Sequence, residues 1–251
     1  MSHRPDYFDR YETIAFERTQ SGVLTVRLHS KGGPVVYSSA HHRDWVGAFL
    51  DISADRDNKV VILTGTGNEF INRFGWDKGL STPTDWDYVY WEGKRLLRNL
   101  LDIEVPVIAA VNGPATVHSE LAVLSDIVLA SENAVFQDQA HILFSTVPGD
   151  GIAIVWMELL GPNRGRYFLL TGQKITAPEA FQLGVVNEIL PQDKLMTRAN
   201  ELAERLAALP ALTARYTRVI FTQRLKRLLD ENLGYGLALE GLGAMRIRRK
   251  D

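Results

Sequence analysis

The sequence predicts an α/β fold whose sheet is covered on both faces, and three observations carry that reading. Residues 59–64, 105–111 and 126–130 are strand-length runs that are almost continuously apolar. A strand of that kind must be buried on both sides, because successive side chains point to opposite faces. Residues 41–53, ahead of the first of these runs, and 84–101, between the first and second, place apolar side chains at helical spacing. From Ile152 onward the pattern is mostly helical, which supplies the covering layers.

In chain order, residues 23–28 (VLTVRL) read as a strand, 41–53 as a crossover helix and 59–64 as the next strand, a unit expected to be right-handed. Gly65-Thr66-Gly67 is a loop, and the helix at 84–101 is begun by a Thr or an Asp. Gly161, Gly172 and Gly184 punctuate the later helices, and 185–190 is a short strand. Residues 211–249 are too long and too helical for a tail, so they are expected to pack on a neighbour within the chain or across an oligomer interface.

A chain of 251 residues with 45% hydrophobic content can bury a full core. A formal charge of -2, with basic residues scattered among acids, offers no face for a phosphate backbone, so no nucleic-acid partner is expected. There is no cysteine for a disulfide or a thiolate metal site. The N-terminal residues lack the apolar run of a signal peptide and nothing reaches membrane-spanning length, so a cytoplasmic protein without a membrane partner is expected.

The residues that bear chemistry sit in two strand-end loops. NGPATVHSE carries His118 and Glu120; FQDQAHILFSTVPGDG carries His141 and Asp150. The chain has six histidines, and two of them in such loops point to chemistry more than to packing. A His and an Asp that meet in a cleft make a general base and its orienter. No His-x-x-x-His pair occurs and GTG lacks the rest of a dinucleotide fingerprint, so neither a metal nor a cofactor is expected. His41 and His42 are adjacent, so on a helix they face different ways, and at least one is expected to face solvent.

The runs VILTGTG, EVPVIAAVNGPA, SDIVLASENAVFQ, TVPGDG and LTGQKITAPEAFQLGVVNEIL, in this order and spacing, resemble the enoyl-CoA hydratase (crotonase) superfamily over nearly the whole chain. The resemblance implies a spiral of strand-strand-helix repeats over residues 1–195 and a helical C-terminal region over 196–251 that builds homotrimers or dimers of trimers.

Departures from the usual pattern sharpen this. The Gly-rich turn after VNG is replaced by Val117-His118-Ser119; Glu120 stands at the first catalytic glutamate and His141 at the second. Ile71-Asn72-Arg73-Phe74-Gly75-Trp76 replaces the small-residue loop that helps cradle a thioester. The pattern resembles the β-diketone hydrolase branch, which cleaves a carbon–carbon bond between two ketones without coenzyme A. That resemblance implies functional roles for His42, His118, His141, Asp150 and Glu240, with His42 preferred over His41, and puts Tyr37 where a tryptophan is expected. Phe74, Trp76 and Val117 are the other pocket residues expected, with Glu120.

Water attack on a 1,3-diketone needs a base, and the departing enolate needs a donor. The expectation is that His141 is the base with Asp150 as orienter, worth roughly 10²–10⁴-fold. His118 is expected to stabilise the enolate, on the order of 10²–10³-fold, aided by backbone N–H groups near Phe74 and Val117 or His118. His42 and Glu240 would position substrate or water. Two alternatives stay open: an acyl-CoA hydratase or isomerase using Glu120, and a non-catalytic crotonase-like protein. The set Tyr37, Phe74, Trp76, Trp86, Tyr88 and Trp91 reads as core or as the walls for an apolar cyclic ketone.

Overall fold

The computed structural model describes residues 4–78, 80 and 82–247. In chain order the elements are β1 (Ile14–Arg18), β2 (Val23–Leu28), β3 (Val36–Tyr37), α1 (Ser39–Ala54), β4 (Val60–Thr64), β5 (Arg73–Phe74), α2 (Pro83–Asp102), β6 (Val107–Val111) and α3 (Glu120–Val123). There follow β7 (Ile127–Ser131), β8 (Val135–Phe136), α4 (Ile152–Leu160), α5 (Pro162–Thr171), β9 (Ile175–Thr176), α6 (Ala177–Gln182), β10 (Glu188–Leu190), α7 (Leu195–Ala207) and α8 (Ala211–Ile247). The helix end expected at Arg249 lies outside the described residues.

The main sheet has the order β1-β2-β4-β6-β7-β10, parallel throughout except for β1 against β2. A second ribbon runs beside it. β3 pairs with β5, Ile71 bridges to Ala115, Ala115 to Phe136 of β8, and β8 pairs with β9. Each turn of chain therefore adds a long strand to the sheet, a short one to the ribbon, then a helix. This is the strand-strand-helix spiral.

Alternation along the strands explains the two covered faces. Leu24, Val26, Val61, Leu63, Val107 and Ala109 join the large core with α1, α2 and α4. Their neighbours Val23, Val60, Ile62, Ile108 and Ala110 face Leu195, Ala199, Ala203 and Ala207 of α7. The alanines at four-residue spacing let α7 lie close on the sheet. The boundary expected at 195 thus falls at the start of a helix that belongs, by packing, to the core.

Helix starts follow local chemistry. Thr82 caps α2 in a capping box with Asp85, and Pro83 takes the first turn where no N–H is needed. Ser38 caps α1 through an unusual box in which His41 replaces the customary glutamate. His41 Nδ1 accepts from Ser38 N at 3.2 Å, and its other nitrogen meets Ser30 Oγ at 2.9 Å. Both His41 and His42 are buried, which corrects the expectation that one faces solvent. α1 is packed on more than one side, so adjacent positions both point inward.

α8 is tied down at each end. Arg218 is almost fully buried, pairs with Asp126 Oδ2 at 2.6 Å, and donates to the carbonyls of Leu101 in the last turn of α2 and of Ile103 just past it. We expect Arg218→Leu to destabilise the chain by roughly 3–5 kcal/mol, because it strands a carboxylate and several carbonyls. Urea unfolding measures this; a loss below 1 kcal/mol would contradict it. Further along, Trp86 Nε1 donates to Leu237 O at 3.0 Å, which fixes the helix over the ends of α2 and the 147–151 loop. Among the described residues no helix is long and apolar enough to cross a membrane.

Candidate active site

Asn112 pins two strand-end loops together. Its side chain donates to Gly67 O and Glu69 O at 2.8 and 2.9 Å and accepts from Gly65 N at 3.1 Å. Gly113 follows at φ 156°, where a Cβ would strike Asn68 O, so the loops meet only because no side chain intervenes. The chain then swings His118 inward at φ 47°, a left-handed conformation that costs a non-glycine residue on the order of 1–3 kcal/mol. Strain of that size at a site suits a residue held for its side chain.

Three imidazoles converge on one cavity of about 270 Å³, and each has its own buried carboxylate. His42 Nδ1 meets Glu92 Oε2 at 2.6 Å, His118 Nδ1 meets Glu120 Oε1 at 2.6 Å, and His141 Nδ1 meets Asp138 Oδ1 at 2.8 Å. Asp138, three residues earlier on the same loop, therefore holds His141 where Asp150 was expected to. Asp150 lies on the far side of the ring, with Oδ2 3.5 Å from His141 Nε2 and 3.4 Å from His118 Nδ1. Its other oxygen accepts from Ile152 N at 3.1 Å at the start of α4, where the helix dipole favours an anion. Glu240, from α8, brings Oε1 to 3.7 Å from His141 Nε2, and its Oε2 has no hydrogen-bond partner among the described residues.

The charge states follow from these placements. Burial disfavours a charged His141, but Asp150, Asp138 and Glu240 outweigh it and hold its pKa well above the usual value. His118 is raised in the same way, burial being outweighed by Glu120 and Asp150. Burial also opposes charge on Asp150, yet His141 and His118 keep it below the ordinary carboxylate range. Burial pushes Glu240 up to about 7. For His42 burial wins and the pKa is lowered, with nearby His118 adding to the effect against Glu92.

Tyr37, Phe74, Trp76, Trp86, Phe144 and Leu237 form apolar walls, and among the described residues no Lys or Arg lines the cavity. Tyr37 lies against His118, ring centroids 4.5 Å apart. Tyr88 and Trp91 are instead more than half exposed, neither core nor wall. Arg73 is outside the cavity, exposed and paired with Glu69 at 2.8 Å. Val117 and Glu120 are fully buried and do not line the cavity. The Val117 N–H is engaged by Ile71 O at 3.1 Å, so it is not available to a substrate oxygen as expected.

Sequence reasoning missed Glu92 and Asp138. The Asp-x-x-His spacing of Asp138 was a readable signal, whereas Glu92 sits within a helix 50 residues from its partner and carried none. The sets His118, Glu120, Asp150 and His141, Asp150, Glu240 bring ligand atoms within 4.8 Å of one another, a spacing a divalent cation could bridge. In each set the imidazole is already paired with carboxylates.

A strand-strand-helix spiral with a site built from strand-end loops defines the class, and comparison with known proteins agrees. The enoyl-CoA hydratase/isomerase family profile matches residues 18–238, and the chain belongs to that family. Carnitinyl-CoA dehydratase from Salmonella enteritidis is 32% identical over 194 residues, 75% of this chain and 72% of that protein. A crystal structure of an enoyl-CoA hydratase/isomerase from Mycobacterium paratuberculosis shares the fold at 24% identity, with a TM-score of 0.84 over 93% of this chain and 94% of that one. Within the family, the chain resembles the β-diketone hydrolases. One from the cyanobacterium Anabaena sp. PCC 7120, bound to (S)-3-oxocyclohexyl acetic acid, is 53% identical with a TM-score of 0.96, covering 98% of this chain and 100% of that chain.

Proposed function

We propose that this chain hydrolyses a carbon–carbon bond in neutral, apolar cyclic 1,3-diketones by a retro-Claisen reaction. The observation that carries the reading is a cavity with three carboxylate-held imidazoles and aromatic walls. Water oxygen bonds to one carbonyl carbon, with its proton passing to an imidazole. The bond from that carbon to the carbon between the carbonyls then breaks, its electron pair becoming the enolate of the second carbonyl. Protonation of that carbon leaves a keto acid. His42, His118, His141, Asp150 and Glu240 are the residues assigned to these steps, with Tyr37, Phe74 and Trp76 holding the ring.

The likeness to the Anabaena β-diketone hydrolase supports this reading. The aromatic walls Tyr37, Phe74, Trp76 and Trp86 support it too, since a neutral cyclic ketone is held by such surfaces. The alternative, thioester hydration by Glu120, needs a carboxylate that meets substrate, and Glu120 is fully buried with its Oε1 on His118.

The test is loss of the ultraviolet enolate band of monocyclic and bicyclic 1,3-diketones, run beside crotonyl-CoA hydration and repeated after EDTA. Diketone loss that survives EDTA, without thioester turnover, is the expected result; thioester hydration alone would overturn it. We also propose a homotrimer or a dimer of trimers. Exposed Leu212, Tyr216, Ile220 and Phe221 on α8 support self-association, and solution mass measurement would decide it.

A further inference from the structure

The three imidazoles are alike in type but not in surroundings. His141 meets a carboxylate at both ring nitrogens: Asp138 at 2.8 Å on Nδ1, and Asp150 and Glu240 at 3.5 and 3.7 Å on Nε2. Only Nδ1 is within hydrogen-bond distance, and two further carboxylates close to Nε2 favour the doubly protonated, cationic ring. His118 faces two carboxylates through one nitrogen, Glu120 at 2.6 Å and Asp150 at 3.4 Å. His42 differs in facing a single carboxylate within 4 Å among the described residues: Nδ1 donates to Glu92 at 2.6 Å, and its Nε2, which like that of His118 has no hydrogen-bond partner there, belongs to a ring that lines the cavity. A carboxylate on Nδ1–H fixes the tautomer that leaves Nε2 basic, the arrangement of a general base with its orienter.

We propose that His42 is the proton acceptor of the reaction and Glu92 its positioning residue, while His118 and His141 act as cationic donors to the substrate oxygens. The attacking water gives its proton to His42 Nε2 as its oxygen bonds to the carbonyl carbon. After the carbon–carbon bond breaks, that proton passes to the enolate carbon and His42 is neutral again. The assignment rests on the diketone reading and replaces His141 as the base expected from sequence.

The groups facing His42 are Glu92 from α2, His118 from the loop after β6 and Asp150 from the loop before α4; burial and His118 outweigh the two carboxylates. The imidazole is therefore uncharged at neutral pH, and activity is lost only as pH falls through its lowered pKa. Were His141 the base, its raised pKa would place the acid limb above that of a free histidine.

The experiment is the pH profile of kcat/KM for wild type, Glu92→Gln and Asp138→Asn, with His42→Gln at the plateau and NMR titration of labelled imidazoles. The proposal expects a wild-type acid limb below pH ~6.5, the ordinary histidine value. Glu92→Gln moves that limb to lower pH, Asp138→Asn leaves it in place, and His42→Gln loses roughly 10²-fold or more in kcat. An acid limb that follows Asp138 and not Glu92, or a His42→Gln variant with the wild-type plateau, overturns it. If wild type consumes no diketone, the functional reading fails. NMR still decides the charge pattern then: His42 neutral with His118 and His141 protonated at pH 7 supports the dyad, and a protonated His42 overturns it.

Discussion

Asp150→Asn will lower diketone turnover by roughly 10³-fold while leaving the fold intact. Among the described residues Asp150 is the one carboxylate within 4 Å of both His118 and His141, and its charge is among the groups holding both as imidazolium ions. The amide keeps the shape and one acceptor oxygen, so Ile152 N retains its partner. Both rings nevertheless lose a carboxylate that raised their pKa. Removal of a single oxyanion donor costs about 10²–10³-fold, and this change weakens two. The sign for pH follows: with folded-state pKa values lowered, His118 and His141 deprotonate earlier, and the alkaline limb of kcat moves to lower pH. Steady-state kinetics with circular dichroism measure both effects. A loss under tenfold, or an alkaline limb that stays put, would contradict the role given to Asp150.

Gly236→Val is expected to cost about 10²-fold in kcat and roughly 1–3 kcal/mol in stability. Gly236 in α8 and Gly149 in the loop before Asp150 touch backbone to backbone, and a Cβ on either would collide with the other's carbonyl oxygen. The contact seats Glu240, one helical turn on from Gly236, beside His141. A side chain there must push α8 and the 149–151 turn apart, so Glu240 and Asp150 leave the imidazoles together. Gly234→Val is the control, because a Cβ there would meet only the Tyr90 hydroxyl at 3.1 Å, the movable end of a side chain. Equal losses in the two variants would mean that helix propensity, not the glycine contact, sets the effect.

Much of the fold was legible because its causes are local. The apolar runs behind β4, β6 and β7 have to be strands covered on both faces, and the residues of α2 carry their own cap and periodicity. The loops bearing His118 and His141 were legible for the same reason, since Asn112-Gly113 and Pro148-Gly149 break the pattern wherever the chain must turn. The covering of the second face by α7 was not, because an amphipathic helix does not state which surface it will meet.

What the sequence determined by itself was the α/β alternation, its spiral order through family resemblance, and the presence of histidines and carboxylates in strand-end loops. Only the tertiary structure decided which carboxylate holds which imidazole. Glu92 reaches His42 across 50 residues, Asp138 displaces Asp150 from Nδ1 of His141, and Asp150 is left facing two rings at once. The physical reason is that hydrogen-bond partners and burial, not residue type, set the charge of an imidazole. Both are properties of the packed site, in which groups far apart in the chain share one cavity.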